Sequence, residues 1–227
     1  MVCDMETNPS ILNRDIAATF PWAEPLSAYC HSILGNLGWS TRVVNRNMVP
    51  GLDSVLLASP QSGQGVTTIA ATMALMAARD PFCRVLYLDF SFRPQARTLF
   101  NSTPHQDPPS ILFGRHLEQT SLASLDYLWV AGAKAIRSHS RRKLALEQAW
   151  NAYDLVIIDW PPNMTKAWLE HVAPVANVAL IVAGRESTKS SVNQLAKTLM
   201  GHGLSNVGVV FNQDGPQPNQ PNLSEFQ

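Results

Sequence analysis

Three short segments of this 227-residue chain carry residues able to act on a phosphate. In SPQSGQGVTT (59–68), Gly63 and Gly65 break a polar run just ahead of a stretch of helical composition. Glycines there allow the backbone N–H groups of Ser62, Gly63, Gln64, Gly65, Val66, Thr67 and Thr68 to curl round phosphate oxygens at the positive end of a helix. Thr67 stands where a GxxxxGK[ST] loop puts its magnesium-binding hydroxyl, but Val66 occupies the place of the lysine that reaches the terminal phosphates. Asp89 closes the apolar run of VLYLDFSFRP, and Asp159 closes that of YDLVIIDWPP. A carboxylate so placed can hold magnesium directly or through water, or face an attacking group. Each segment alone also reads as plain architecture: a tight turn, a helix cap, a strand-end cap. Together and in this order they point to a weak site for ATP or ADP, with magnesium near Thr67, Asp89 and Asp159.

Positioning these residues requires strands that end at one edge. The apolar segments 54–59, 83–90, 126–132, 153–159, 177–184 and 206–212 are continuous rather than alternating, and they are separated by helical stretches at 66–79, near 141–151, at 165–172 and at 188–202. That pattern predicts an α/β fold, a parallel sheet with helices on both faces and its crevice at the carboxyl ends of the strands; the glycine segment after the first of them is what makes the expected fold P-loop NTPase-like. Leu26, Tyr29, Ile33 and Leu37 recur at helical spacing and predict an amphipathic helix ahead of the core. The expected organisation is a flexible segment at 1–23, the ATPase-like domain at 24–212, and a disordered tail at 213–227 rich in Pro, Asn and Gln.

Composition narrows the function classes. Seventeen basic and 17 acidic residues cancel, which gives no electrostatic basis for nucleic-acid binding. Charged residues make up only 15%, below the roughly 25% of an average soluble domain, and favour a protein that lives against a partner. Cys3, Cys30 and Cys83 lack metal-ligand spacing and make the reducing cytoplasm the expected compartment. No apolar run reaches the roughly 18 residues that span a bilayer, and the opening residues lack the order of a signal peptide. The cluster Arg137, Arg141, Arg142 and Lys143 reads as a solvated face, and His105 and His116 have no ligand partners at metal spacing. Arg93, just after the DxD-like segment, reads as one half of a structural ion pair, with approach to a phosphate as the alternative, whereas Trp160 is expected to cover the crevice or dock a partner there.

From about Glu24 to Asn212 the chain resembles the cytoplasmic ATPase domain of bacterial tyrosine kinases, the partners of polysaccharide co-polymerases. The resemblance rests on LSAYCHSILGNL (26–37), SPQSGQGVTT (59–68), VLYLDFSFRPQARTLF (85–100), YDLVIIDWPP (153–162), Thr188 and GVVFN (208–212). It implies a role in capsule or exopolysaccharide production, a cytoplasmic location peripheral to the inner membrane, and the cytoplasmic part of a co-polymerase as partner.

The departures from the family's pattern all remove chemistry. Val66 replaces the lysine, no lysine precedes Lys134, and Gln61 fills the place of the partition-ATPase signature lysine. Ser91 replaces the second acid of the DxD pattern, Ser27, Cys30 and Ile33 stand at the subunit-contacting ExxRxxR positions, and no tyrosine follows Tyr153. The implied protein is a degenerate, catalytically silent member that regulates polysaccharide synthesis or export. An active ATP-binding kinase or ATPase, and a spatial-organising ATPase of the partition or septum-site type, are the alternatives.

Overall fold

The structure, a computed structural model, describes residues 19–39, 54–104, 117–130, 152–162 and 166–212. The helix expected near 141–151, the basic cluster at 137–143, His105, His116 and the segments 1–18 and 213–227 lie outside these residues.

Helix α1 (Glu24–Asn36) carries Pro25 in its first turn, where a missing N–H leaves no intrahelical bond unmade. It packs on α2 (Val66–Ala77), which follows strand β1 (Ser54–Ala58) and the glycine loop. Next come β2 (Val85–Asp89), α3 (Gln95–Leu99), β3 (Thr103–Pro104), β4 (Leu117–Gln119), β5 (Leu125–Trp129) and β6 (Leu155–Trp160). The described part ends with α4 (Lys166–Val172), β7 (Val178–Ala183), α5 (Lys189–Gly201) and β8 (Val207–Phe211). The sheet order is β3-β4-β5-β2-β6-β1-β7-β8.

All six predicted strands form one parallel block, β5-β2-β6-β1-β7-β8. Beyond it the sheet is mixed: β4 runs antiparallel to β5, and β3 antiparallel to β4. A short connection from Gln119 to Leu125 returns the chain directly, so the pair must be antiparallel; parallel neighbours need a long crossover. These strands hold two and three residues, too few for a periodic signal in the sequence.

Burial on both faces explains the continuous apolar strands. Side chains alternate across a sheet, and accordingly Val55, Leu57, Val85, Tyr87, Leu155 and Ile157 join the core beneath α1 and α2. Leu56, Ala58, Leu86, Leu88, Val156 and Ile158 join the core beneath α4 and α5. Helix α2 lies between α1 and the sheet, and ten of its 12 residues are buried. Phe20 and Ala23, ahead of the expected boundary at residue 24, belong to the same core.

Two expectations change with the packing. The buried line of α1 is Ser27, Cys30 and Leu34, one position round from the predicted stripe; Leu26, Ile33 and Leu37 flank it, and Tyr29 is 41% exposed. Small side chains at 27 and 30 let α1 come close to α2, and a helix pair rewards that contact over maximal hydrophobicity. Trp160 does not cover the crevice: it faces the α4/α5 core, 5% exposed, with its ring 5.0 Å from Phe90, which in turn meets Trp168 edge-on at 5.3 Å. The strand period decides this, since Asp159 and the next residue must point to opposite faces.

Replacing so large a buried ring leaves a cavity, and Trp160→Ala is expected to lower unfolding stability by about 3–5 kcal/mol in urea titration. An effect within about 0.5 kcal/mol would contradict the packing described.

Candidate phosphate-binding site

The site lies at the carboxyl end of the parallel block, on the face that carries α2. Here the chain leaves β1, turns through residues 59–65 and enters α2 at Val66. Gly63 and Gly65 have φ of 81° and 86°, a region that side chains bearing a Cβ rarely adopt. Gly65 is further constrained by a close approach: a Cβ there would sit 2.4 Å from the Asn212 side-chain nitrogen. That amide, just past β8, donates to the Gln64 carbonyl at 3.0 Å and ties the loop to the sheet. The Gln64 side chain turns into the wall, 7% exposed, donating to the Ser187 hydroxyl at 2.7 Å.

Register brings the two acids together. Asp89 of β2 and Asp159 of β6 are direct neighbours across the sheet, 0% and 2% exposed. The Tyr87 hydroxyl donates to Asp159 at 2.8 Å, and the Tyr127 hydroxyl donates to Asp89 at 2.8 Å. Ser91 donates its N–H to Asp89 at 2.8 Å and its hydroxyl to the same oxygen, so both Asp89 oxygens accept bonds from within the protein. Thr67 bonds to Asp159 from the first turn of α2.

Burial pushes the Asp159 carboxyl up to about 7, and the neighbouring Asp89 charge adds to it, while the Thr67 and Tyr87 hydroxyls oppose the rise. Burial also raises Asp89, against its bonds from Ser91 and Tyr127. The phenols of Tyr87 and Tyr127, buried beside carboxylates, are raised in turn and stay proton donors at neutral pH.

A cleft of about 530 Å³ opens over this floor, a size suited to a small molecule. All seven predicted loop residues, Ser62, Gly63, Gln64, Gly65, Val66, Thr67 and Thr68, line it together with Asp159. Asp89 does not; it lies behind, next to Asp159. Thr67 and Asp159 suit a magnesium ion shared with a phosphate, since magnesium is commonly held by one or two carboxylates plus phosphate oxygens. Among the described residues, no group of three or more His, Cys, Asp and Glu is placed to hold a metal ion. Val66, 8% exposed, sits at the first position of α2 and adds no donor.

The sequence reading missed two features of this site. Tyr87 was legible, since a residue two before Asp89 on a strand shares its face. The pairing of Tyr127 with Asp89 required the β2–β5 register. Of the two roles expected for Arg93, an ion pair or approach to a phosphate, its place fits the second: it lines the cleft from the β2–α3 loop, its side chain exposed and without a salt bridge among the described residues. Thr188, matched to the family by position, caps α5 by accepting from Ser191 N–H at 3.1 Å.

No family model matches the chain, and no curated protein sequence matches it. Solved structures do. The kinase domain of Escherichia coli tyrosine kinase ETK is similar with a TM-score of 0.61 at 20% identity, over 81% of this chain and 77% of that one. The BceF tyrosine kinase domain has a TM-score of 0.62 at 18% identity, over 88% and 82%. The MinD cell division protein of Aquifex aeolicus has a TM-score of 0.54 at 24% identity, over 72% and 70%. The chain therefore has the P-loop NTPase-like fold, a mostly parallel sheet between helices, that these proteins share.

The raised Asp159 carboxyl couples folding to protons. The folded protein holds this proton up to about pH 7, whereas in an unfolded chain it leaves near pH 4. Between these values the native state binds more protons, so this group makes the fold progressively less stable as pH rises from about 4 to about 7, and the penalty is complete above that. Asp159→Asn is expected to gain stability relative to the wild type at pH 8 and to lose that advantage near pH 5, as read from urea midpoints. A pH-independent difference between the two would show that the carboxyl is not raised.

Proposed function

We propose that this chain is a catalytically silent P-loop subunit that regulates exopolysaccharide or capsule biosynthesis or export, acting with the cytoplasmic part of an inner-membrane polysaccharide co-polymerase. The observation that carries the reading is Val66, buried at the entry to α2 in an otherwise complete glycine cradle. A lysine at this position acts where charge develops on the transferred phosphoryl group, and valine has no donor to offer. The fold-level likeness to tyrosine kinase domains, together with the sequence motifs, supports the polysaccharide connection.

In this reading ATP or ADP binds weakly in the cleft, where Thr67 and Asp159 would hold a magnesium ion and that ion would neutralise phosphate charge. The chain's own residues orient the loop: Asn212 anchors the Gln64 carbonyl, and Tyr87 holds the Asp159 carboxylate in place. Three of the four tyrosines have hydroxyls committed to aspartates: Tyr87 to Asp159, Tyr127 to Asp89, and Tyr153 to Asp126 at 2.7 Å. Tyr29 alone among them presents substantial surface for modification.

Partner contact moves from Trp160 to the exposed aromatic at the crevice, Phe92, which is 69% exposed on the cleft wall. Membrane association would come through the partner; among the described residues, no helix is long and apolar enough to cross a membrane.

Two experiments test the proposal. Purified protein should hydrolyse ATP no faster than Asp159→Ala and should form no phosphotyrosine by mass spectrometry; turnover abolished by Asp159→Ala overturns silence. Phe92→Ala should weaken capture of a co-polymerase's cytoplasmic segment about tenfold, equivalent to about 1.4 kcal/mol, while Thr67→Ala leaves capture unchanged. Unaltered capture by Phe92→Ala would remove this surface from the interface.

A further inference from the structure

The cleft keeps a backbone cradle for phosphate while its expected cation is absent. Among the described residues that line it, only Asp159 and Arg93 carry ionisable side chains. Arg93 reaches the cleft from the loop after β2, whereas the missing lysine would have entered from α2. Arg97, in α3, is committed to Glu118 at 2.9 Å on the outer edge of the sheet, whereas Arg93 has no salt bridge among the described residues.

We infer that Arg93 supplies the phosphate-binding cation of this site, taking from the opposite wall the role that Val66 cannot perform, for the polyphosphate of a nucleoside diphosphate or triphosphate. A guanidinium is always charged and presents a planar fork of N–H donors matched to two phosphate oxygens. It can therefore bind an anion without lying in line with the loop, as a lysine point charge on α2 would have to.

The glycine-loop wall and the size of the cleft bear on which ligand it takes. The Gln64 side chain is 93% buried, and Ser187 satisfies one end of its amide; the side-chain oxygen at the other end has no hydrogen-bond partner. A buried polar atom left in this state is costly. The cleft, at about 530 Å³, has room for more than a phosphate chain, and this favours a nucleotide over the bare anion.

This inference concerns the same cleft as the proposed function, but it does not depend on catalytic silence. Turnover assays address silence; binding by Arg93 is read separately. Isothermal titration of the full-length protein with ADP, and in parallel with pyrophosphate, both without magnesium, provides the test. Arg93→Gln should weaken ADP binding about 10- to 100-fold, Arg93→Lys should fall between it and the wild type, and the wild-type affinity should drop with added salt. Lys197→Gln removes the same charge from exposed α5 and should leave binding unchanged, which separates a local contact from net charge. Val66→Lys combined with Arg93→Gln should restore affinity, because either cation can serve one phosphate. Equal affinities for Arg93→Gln and wild type, or no ADP binding by the wild type at millimolar concentration, would overturn the inference. Pyrophosphate binding as tight as ADP would overturn its assignment to a nucleotide.

Discussion

Two carboxylates sit side by side in the interior of this protein, and much of the surrounding structure answers that constraint. The β2–β6 register sets Asp89 against Asp159 with almost no solvent at either. Buried like charges at such a distance oppose ionisation, and each unpaired lone pair would carry a desolvation cost. Donors converge on them from three elements: Tyr87 from β2, Tyr127 from β5, and Thr67 from α2. Ser91 adds two more from the loop beyond β2. The aromatic rings beneath these hydroxyls fill the core, with Tyr87 stacked on Tyr127 at 6.1 Å and edge-on to Phe100 at 5.0 Å. One layer of side chains thus serves both as hydrophobic packing and as the hydrogen-bond floor of the cleft.

That floor also determines what the cleft can do. With its oxygens occupied from below and behind, Asp89 has become part of the scaffold, and Asp159 is the acid that reaches the cleft. The glycine loop above it keeps the geometry of an anion site because Gly65 must leave room for Asn212, whose amide pins the loop from β8. The cradle is held by contacts that do not involve Val66, so its shape does not depend on the side chain at that position.

Burial assigns the remaining aromatic residues different roles. Trp160 and Phe90 lock β6 to the α4/α5 side, whereas Phe92, only two residues beyond Phe90, stands exposed at the cleft. The exposed aromatic surface therefore lies on the loop after β2, next to Arg93, and the strand supplies the support beneath it.

The sequence alone determined the parallel block, because strands covered on both faces must be continuously apolar and their helical spacers force crossovers. It also determined which residues form the loop and which acids end the strands, since glycine spacing and strand-terminal aspartates are local features. Tertiary structure decided the rest. The antiparallel edge of β3 and β4 is too short for a periodic signal, and its direction follows from the brief return to β5. The buried line of α1 depended on how closely that helix could approach α2, which hydrophobic spacing does not encode. Tyr127 met Asp89, and Arg93 came to the cleft, only because register and loop path joined residues far apart in the chain. Trp160 lies between these two cases: its inward orientation follows from strand alternation after Asp159, but the core that receives it exists only once α4 and α5 have packed against the sheet.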